Sequence, residues 1–274
     1  MADLHSALHD LRAKAAATDA AKAAPRAPLI EIFWSIQGEA RFVGVPMAFL
    51  RVATCPLRCT YCDTPHSYEA PTTFPVKTAL RELREPNPTN SERAADLVKM
   101  VTTQSGQSPK VPRLSITGGE PLVFPDFVKE LGRKVRAHGF RVHLETAAHD
   151  AKALQQCIEQ VDHLSADYKL PETIGGQSYA AQHVQCCQIA IQRGASVDVK
   201  IVLNQRTTDA GLEKAFADLQ PVREKILLVL QPATPMQQDR GPENVDLQRW
   251  VALAARAGFD LRVLPQVHRA LRVP

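Results

Sequence analysis

The sequence has no apolar run near the ~18 residues that a membrane-spanning helix needs, so no membrane partner is expected. Residues 1–25, MADLHSALHDLRAKAAATDAAKAAP, carry Asp and His where a secretory signal peptide would be apolar. The formal net charge of the 274-residue chain is only +4, and the basic residues are scattered, which gives no reason to expect nucleic acid binding. These absences predict a soluble protein of the cytoplasm.

The six cysteines lack the pattern of a disulfide framework, which a long chain without a secretory signal seldom carries. Three lie in helix-like segments and are expected to be small core residues, namely Cys157, Cys186 and Cys187. The other three lie in TCPLRCTYCDT, residues 54–64, here called the cysteine loop, and they are Cys55, Cys59 and Cys62. Core packing does not explain cysteines in such a loop.

A fourth closely spaced thiol is missing from the cysteine loop. Structural zinc usually takes four protein ligands, and only Cys59 and Cys62 form a CxxC pair, so a zinc site would need His66 as well. A redox CxxC motif would leave Cys55 unexplained. A [4Fe–4S] cluster held by three thiolates has one open iron, which can bind a substrate or a cofactor. The spacing therefore favours such a cluster, with zinc as the alternative.

Short runs rich in Val, Ile and Leu alternate with helix-like segments along the chain. The runs predicted as strands are 29–34, 46–53, 113–117, 141–146, 163–167, 196–203, 225–231 and 259–264. The segments predicted as helices are 91–104, 126–137, 151–160, 178–193, 209–219 and 243–257. This alternation is typical of βα units. It predicts an α/β fold with mostly parallel strands, either a complete or incomplete barrel or an open doubly wound sheet.

A glycine-rich dinucleotide fingerprint is missing after the first predicted strand, which weakens the case for a dinucleotide-binding fold. The Ala-rich residues 1–28, which end in Pro25 and Pro28, are predicted to be an N-terminal extension. Residues 29–274 are predicted to form the catalytic domain, with a polar, Pro-rich insert at about 65–111.

Unusual polar residues follow the predicted strands at their carboxyl ends. They occur in CPLRCTYCDT, in TGGEP (117–121), in ET after 141–144, in SADYK after 163 and in QP after 225–230. The carboxyl ends of parallel strands meet at one edge or face of the fold, where active sites form. The pattern predicts one convergent site that includes the cysteine loop.

The cysteine loop and TGGEP together resemble the motifs of the radical SAM superfamily. The resemblance implies a partial (β/α) barrel, a [4Fe–4S] cluster on the three loop cysteines, and S-adenosylmethionine (SAM) chelated to the open iron. One electron then cleaves SAM to a 5′-deoxyadenosyl radical. Glycines in the turn let the backbone approach SAM closely. The residues that the resemblance assigns to SAM are Tyr61, Asp63, Gly118, Gly119, Glu120, Glu145, Ser165, Lys169 and Gln231.

Two longer segments resemble the 7-carboxy-7-deazaguanine synthase family of that superfamily. They are EIFWSIQGEARFVGVPMAFLRVATCPLRCTYCDT (31–64) and PQVHRALRVP (265–274). The resemblance implies a ring contraction in queuosine biosynthesis, in which 6-carboxy-5,6,7,8-tetrahydropterin becomes 7-carboxy-7-deazaguanine with loss of ammonia. It also implies a Mg²⁺ requirement, an electron donor such as flavodoxin or ferredoxin, and a homodimer.

The same resemblance assigns residues to the metal and the substrate. Thr64 is implied as a Mg²⁺ ligand, and a hydroxyl suits a hard cation that keeps waters. Arg51 suits the substrate carboxylate, and His268 is implied to bond or protonate the substrate. The residues assigned to the substrate are Ile36, Gln37, Gly38, Glu39, Arg51, Thr117, Gln266, His268 and the terminal Pro274, with Gln37 and Glu39 offering paired hydrogen bonds to its flat edge.

The chain departs from the family pattern where glycine or Asn-Gly is usual, at Ala40, at Thr54 and in the stretch ETAAH (145–149). Two alternatives remain open on the sequence. A glycyl-radical activating enzyme shares the cysteine spacing and TGGEP but acts on a protein. A zinc-stapled binding module would use the cysteines without catalysis.

Overall fold

The structure is a computed structural model that describes residues 24–105, 110–234 and 242–274. Its strands are β1 Arg26–Ala27, β2 Leu29–Ile36, β3 Pro46–Val52, β4 Thr73–Lys77, β5 Glu82–Pro86, β6 Thr89–Asn90, β7 Arg113–Gly118, β8 Arg141–Thr146, β9 His163–Tyr168, β10 Ser196–Leu203, β11 Ile226–Pro232 and β12 Leu261–Val263. Its α-helices are α1 Ser91–Thr103, α2 Pro125–Ala137, α3 Ala151–Cys157, α4 Ala180–Gln192, α5 Asp209–Leu219, α6 Asn244–Arg256 and α7 Val267–Leu271. Over these ranges, the structure has no helix with both the length and the apolar character to cross a membrane.

One sheet of ten strands has the order β12-β11-β10-β9-β8-β7-β3-β2-β4-β5. The strands from β12 to β3 are parallel to their neighbours. At the other side, β2 is antiparallel to β3, and β5 is antiparallel to β4. The prediction of an α/β fold with mostly parallel strands is confirmed. Among the described strands, β12 and β5 are not paired with each other, so the sheet is open, as in an incomplete barrel.

The two faces of the parallel strands differ in chemistry, because alternate residues point to opposite sides. One face packs beneath the helices and is apolar, with fully buried residues such as Ile116, Leu144 and Val199. The opposite face carries Ser115, Thr117, His143, Glu145, His163, Ser165, Asp167, Asp198, Lys200 and Gln231. Several side chains of this polar face line the pocket that is described below.

The segment predicted as an insert, about 65–111, adds strands to the main sheet. β4 pairs in parallel with β2, and β5 continues the sheet beyond β4. This hairpin was not predicted, because prolines and exposed alternate residues give it little hydrophobic signal. The helix predicted over 91–104 is present as α1, and the side chain of Asn90 caps it by accepting from the Arg93 N–H at 2.8 Å.

The N-terminal boundary of the fold involves β1, which pairs with β6. Arg26–Ala27 therefore contacts the body of the protein ahead of residue 29, where the catalytic domain is predicted to begin. Residues 1–23 of the predicted extension lie outside the described residues. The division into an extension and a domain stays a prediction.

The loop of residues 37–45, here called the inner loop, crosses the polar face between β2 and β3. Ala40 packs on the apolar part of β11. Arg41 donates from its backbone N–H and its Nε to Asp198 of β10, at 2.9 and 2.8 Å. Phe42 packs edge-on against the histidine rings of β8 and β9. The inner loop is thus fastened to the sheet, directly below the carboxyl ends of its strands.

Three residues near the site hold the left-handed backbone conformation that favours glycine. Their φ angles are +54° at Ala40, +69° at Thr54 and +51° at Ala148. These positions coincide with the departures from the family's glycine pattern, so the pattern reflects a backbone requirement. Positive φ is least tolerated by a β-branched residue. Thr54 also has a buried Oγ1 without a hydrogen-bond partner in the described residues.

Replacing Thr54 with glycine is expected to raise the free energy of unfolding by about 1 kcal/mol. The change removes the strained conformation and the unpaired hydroxyl, which together outweigh the extra freedom of glycine in the unfolded chain. Urea unfolding followed by circular dichroism measures the difference. Ala217→Gly, at an exposed position of α5, is the control and should lower the same free energy by about 1 kcal/mol. Equal losses in both variants would contradict the strain assigned to Thr54.

Candidate functional site

A pocket opens at the carboxyl ends of the parallel strands, over the polar face of the sheet. The predicted site residues that line it are Ile36, Gln37, Gly38, Glu39, Arg51, Cys55, Cys59, Tyr61, Cys62, Asp63, Thr64, Thr117, Gly118, Gly119, Glu120, Glu145, Lys169, Gln231, Gln266, His268 and Pro274. The other predicted residue, Ser165, is buried on β9, one alternate position deeper than Asp167, which does line the pocket. The structure therefore brings nearly the whole predicted set together.

The three thiols of the cysteine loop line one side of the pocket, and all are unpaired and partly buried. Backbone bonds fix the loop, because Cys62 N–H donates to the Cys59 carbonyl at 3.2 Å and Thr60 N–H to the Thr173 carbonyl at 3.0 Å. Burial raises the pKa of the Cys55 thiol to about 11, and it also raises the pKa of the Cys59 thiol. These thiols therefore need a bound cation in order to ionise at neutral pH, as iron ligands do.

The donor set fits a cluster better than a single metal ion. Within the described ranges, no three His, Cys, Asp or Glu side chains lie close enough together to hold one ion. The zinc alternative needs His66, which is exposed in the short helix Pro65–Tyr68 and is not part of the pocket lining. Three thiols that face one pocket without meeting at a point fit the separate corners of a [4Fe–4S] cluster.

The turn of Gly118, Gly119 and Glu120 packs against the end of β3. A Cβ on Gly119 would lie 2.0 Å from the Thr54 carbonyl oxygen, and one on Gly118 would lie 2.4 Å from the Val52 backbone. Gly119 N–H donates to the Val52 carbonyl and Glu120 N–H to the Thr54 carbonyl, both at 2.9 Å. This contact between two backbone segments requires both glycines, besides their predicted approach to SAM.

The carboxylate of Glu120 is buried and accepts three hydrogen bonds within the protein. Its Oε1 accepts from the Leu122 N–H at 3.0 Å and the Thr146 hydroxyl at 2.5 Å. Its Oε2 accepts from the Ala147 N–H at 2.8 Å. These bonds tie the end of β7 to the end of β8. Because a carboxylate has about four acceptor positions, one position on Oε2 is left for a ligand.

The carboxylate of Glu145, at the end of β8, is held by the inner loop and by β7. Its Oε1 accepts from Gln37 Nε2 and Ser115 Oγ, each at 2.7 Å, and its Oε2 accepts from Thr117 Oγ1 at 3.2 Å. Gln37 is buried, and its Oε1 accepts from the Glu39 N–H at 3.1 Å. Both ends of the Gln37 amide are used inside the protein. Gln37 therefore positions Glu145 and the inner loop, and it lines the pocket together with Glu39.

Two lysines and two acids form a partly buried chain of charges in the pocket lining. Lys169 Nζ donates to Asp167 at 2.9 Å and lies 5.3 Å from the centre of the Tyr61 ring. Lys200 Nζ lies 3.5 Å from Asp167 and donates to Glu39. Burial disfavours both ammonium groups, but Asp167 raises the pKa of each above its ordinary value. Burial likewise opposes ionisation of Glu39, but Lys200 holds the pKa of Glu39 below its ordinary value. Glu39 and both lysines are therefore charged at neutral pH.

Gln266 fastens the residues after β12 to the pocket. Its Nε2 donates to Glu39 at 2.8 Å and to Asp63 at 3.0 Å, and its Oε1 accepts from the Thr234 hydroxyl at 2.5 Å. Burial raises the pKa of Asp63, but the Gln266 bond and the nearby Arg51 hold it below its ordinary value. Gln266 thus joins the inner loop, the cysteine loop and the segment after β11.

The residues after β12 also close over Gly38 of the inner loop. The first N–H of α7 donates to the Gly38 carbonyl at 2.9 Å, and a Cβ on Gly38 would lie 2.1 Å from His268 Nδ1. Ser35 Oγ donates to the backbone oxygen of Pro274 at 2.8 Å. His268 therefore reaches the pocket because residue 38 has no side chain, and Pro274 reaches it beside Ser35 of β2.

Arg51 of β3 reaches the pocket beside Glu31 of β2. Its Nε donates to one oxygen of Glu31 at 3.1 Å, and Lys77 Nζ donates to the other at 2.8 Å. Within the part of the chain that the structure describes, the two terminal amino groups of Arg51 have no hydrogen-bond partner. A planar pair of donors is thus available for a ligand carboxylate.

The roles of Asp167, Asp198 and Lys200 were not predicted from the sequence. A signal for two of them is present in SVDVKIVL, where Asp198 and Lys200 are two positions apart in an otherwise apolar strand, which indicates one polar face. Gln231 ends β11 with a buried Oε1 that has no hydrogen-bond partner in the described residues. Such an orphaned acceptor indicates a donor supplied by a ligand.

Gly38→Ala is expected to displace the residues after β12, because the added Cβ would overlap His268. Hydrogen exchange of residues 264–274 should become faster by about tenfold or more. Gly194→Ala is the control, since Gly194 has a φ of +79° and open space around it, so that variant strains only its own turn. Unchanged protection in Gly38→Ala would show that His268 does not pack on the inner loop as described.

Comparison with known protein families and curated proteins gives matches along most of the chain. The model of the Radical SAM superfamily matches residues 51–209. The chain is 35% identical over 247 residues to the 7-carboxy-7-deazaguanine synthase of Geobacter sulfurreducens, covering 89% of this chain and 97% of that protein. It is 36% identical over 248 residues to the protein of the same name from Methanopyrus kandleri, covering 89% and 93%.

Two solved structures resemble the fold. QueE from Escherichia coli matches with a TM-score of 0.56 at 21% identity, covering 87% of this chain and 93% of that chain. A radical SAM methyltransferase from Sphaerobacter thermophilus matches with a TM-score of 0.58 at 13% identity, covering 80% and 66%. At these identities the likeness shows the fold alone, which agrees with the family match. By its superfamily match and its sequence relatives, the chain belongs to the 7-carboxy-7-deazaguanine synthase family of the radical SAM superfamily.

Proposed function

We propose that this protein is a radical SAM lyase that converts 6-carboxy-5,6,7,8-tetrahydropterin to 7-carboxy-7-deazaguanine, with loss of ammonia, in queuosine biosynthesis. The observation that carries the proposal is a single pocket lined by two groups of residues. The thiols of the cysteine loop line one part, and Glu39, Arg51 and His268 line another. The curated relatives at 35% and 36% identity bear the name of this activity.

Membership of the radical SAM superfamily implies a [4Fe–4S] cluster and SAM. The three thiols of the cysteine loop would hold the cluster through three irons, as their donor chemistry and their placement support. When bound, the cluster and SAM supply a radical that takes a hydrogen atom from the substrate. The role of the protein is to bind SAM and the substrate next to each other and to exclude water from the pocket.

Three acceptors in the pocket are matched to the groups of SAM. Glu120 has one acceptor position left on Oε2, which suits the ammonium of the methionine part. Glu145 accepts one bond on its Oε2, which leaves a position for a ribose hydroxyl. The unpartnered Oε1 of Gln231 suits the exocyclic amino group of adenine.

The substrate has a flat aminopyrimidinone ring with N–H donors on one edge, and its carboxylate lies on the reduced ring at the other side. Glu39 is ionised and therefore accepts hydrogen bonds from such an edge. The free terminal donors of Arg51 suit the carboxylate in a bidentate contact. His268 lies against the backbone of the inner loop next to Glu39, where its ring can exchange a proton with the substrate.

Thr64 is the proposed Mg²⁺ ligand. Its hydroxyl lies 3.9 Å from the Cys62 sulfur and belongs to the pocket lining. Together with a substrate carboxylate and waters, a hydroxyl gives the oxygen ligands that Mg²⁺ prefers. A flavodoxin or ferredoxin as electron donor, a homodimer and a cytoplasmic location stay predictions from the sequence and its resemblance.

The alternative within the superfamily, a glycyl-radical activating enzyme, would admit a protein segment to the pocket. The residues after β12 cover the inner loop, and Gln266 bonds to two loops and to the segment after β11. A pocket fastened by such contacts and lined by charged side chains supports a small polar substrate.

Anaerobic reconstitution with iron and sulfide is expected to give a brown protein with about four irons per chain. Cys55→Ala, Cys59→Ala and Cys62→Ala should each lose most of this iron, because each removes one corner of the cluster. Cys157→Ala, a change in the buried core at the end of α3, is the control and should keep it. A colourless protein with one tightly bound zinc would favour the binding-module alternative.

Reconstituted protein incubated with SAM, a reductant, Mg²⁺ and carboxytetrahydropterin is expected to form 7-carboxy-7-deazaguanine, detected by mass spectrometry. Arg51→Met should raise KM for the pterin by about a hundredfold, since a bidentate charged contact contributes roughly 2–3 kcal/mol. Arg193→Met, at a surface position after α4, is the control. SAM cleavage without any deazaguanine product would overturn the substrate assignment.

Omitting Mg²⁺ should lower the rate in the wild type, and Thr64→Val should lower the affinity for Mg²⁺, because valine has nearly the same shape but no oxygen. A titration of Mg²⁺ against the initial rate measures both effects. Equal Mg²⁺ dependence in wild type and Thr64→Val would remove Thr64 from the metal site.

A further inference from the structure

Lys200 of β10 and Glu39 of the inner loop form an ion pair inside the pocket. Lys200 is only 7% exposed, and both residues line the pocket. Neither the sequence patterns nor the family resemblance gives Lys200 a role. Burying a lysine is expensive unless its charge is matched, so its position needs an explanation.

We propose that Lys200 is a positioning residue for the substrate, which holds the Glu39 carboxylate ionised and in one orientation toward the N–H edge of the ring. The pocket would thereby select flat heterocycles that donate two hydrogen bonds at that edge, such as aminopyrimidinone rings. This inference rests on the proposed function, because it names how the same site selects its substrate.

The geometry at Glu39 carries the proposal. Each oxygen of its carboxylate has one anchor in the protein, since Oε2 accepts from Lys200 Nζ and Oε1 accepts from Gln266 Nε2 at 2.8 Å. One lone pair remains on each oxygen. Two parallel acceptors fixed in this way match two N–H groups on one side of a planar ring, as in other bidentate carboxylate contacts.

Lys200 is itself held in place by the sheet. It lies opposite Asp167 in the register of β10 and β9, and its Nζ is 3.5 Å from that carboxylate. Asp167 also accepts from Lys169 at 2.9 Å, so it keeps a cation when Lys200 is replaced. A change at Lys200 is therefore expected to act mainly on Glu39 and less on the residues predicted to bind SAM.

The charges around Glu39 determine how the loss of Lys200 would change its protonation. Asp63 of the cysteine loop faces it as a like charge, Gln266 faces it as a neutral donor, and His268 packs against the neighbouring residue Gly38. Burial and Asp63 both raise the pKa of Glu39, and the Lys200 ammonium opposes them. Without Lys200, Glu39 takes up a proton more readily and loses one of its two acceptors.

The test compares wild type, Lys200→Met, Lys200→Arg and the surface control Lys214→Met in the reconstituted holoenzyme. Lys214 is exposed on α5 and pairs only with Asp218 in the described residues. Lys200→Met is expected to raise KM for carboxytetrahydropterin by about tenfold or more, with kcat changed by less than about threefold. Lys200→Arg keeps the charge and should recover part of this loss, and SAM cleavage without pterin should be similar in all four proteins.

A pH profile separates positioning from a general structural defect. Between about pH 6 and 8 the wild-type KM should show no change that comes from protonation of Glu39, because Lys200 keeps that carboxylate ionised throughout this range. In Lys200→Met, KM should rise as the pH falls, because protonation of Glu39 then removes an acceptor. A destabilised but otherwise normal site would lower the amount of active enzyme without this dependence.

Pterin binding measured by fluorescence titration gives the dissociation constant without turnover, which keeps the two proposals distinct. Equal affinity and equal pH dependence in wild type and Lys200→Met would overturn the role of Lys200, whether or not the wild type makes product. A wild type that binds the pterin but makes no deazaguanine overturns the proposed function alone. A wild type that does not bind the pterin overturns both.

Discussion

The inner loop is held to the polar face of the sheet by two ion pairs, Arg41 with Asp198 and Glu39 with Lys200. Both sheet residues come from β10 and lie two positions apart, so they project to the same side. Removing these charges from water is costly, and each pair offsets that cost only in a closely matched geometry. The loop that forms one wall of the pocket is therefore fixed by the strand beneath it, and the residues after β12 pack on the loop in turn.

A second constraint joins the cysteine loop to the turn after β7. The backbone of Gly119 and Glu120 bonds to the end of β3, and the close contact leaves no room for a Cβ on either Gly118 or Gly119. The cysteine loop begins at this point, with Thr54 in a conformation that glycine would adopt more easily. The segments proposed to hold the cluster and SAM thus form one packed unit. A substitution that displaces one segment is therefore expected to displace the other.

The sequence was sufficient for the strands of the parallel sheet, because runs such as SVDVKIVL carry their apolar signal locally. It was not sufficient for the hairpin of β4 and β5, whose edge strands bury little and look like a polar loop. The bonds that the amides of Gln37 and Gln266 make to protein groups were not predicted, and their contact with the substrate stays a prediction. A sequence shows that an amide is present near a motif, but not which partner it bonds.

What the sequence by itself determined is the chemistry: three thiols in one loop, a glycine turn at a strand end, and acids and an arginine at the ends of other strands. These features are local, since each depends on residues within a few positions of one another. What only the tertiary structure decided is which side chains line the pocket and which contacts hold those side chains in place. Asp167 and Lys200 act across strands that are far apart in the chain, and such contacts exist only once the sheet sets its register.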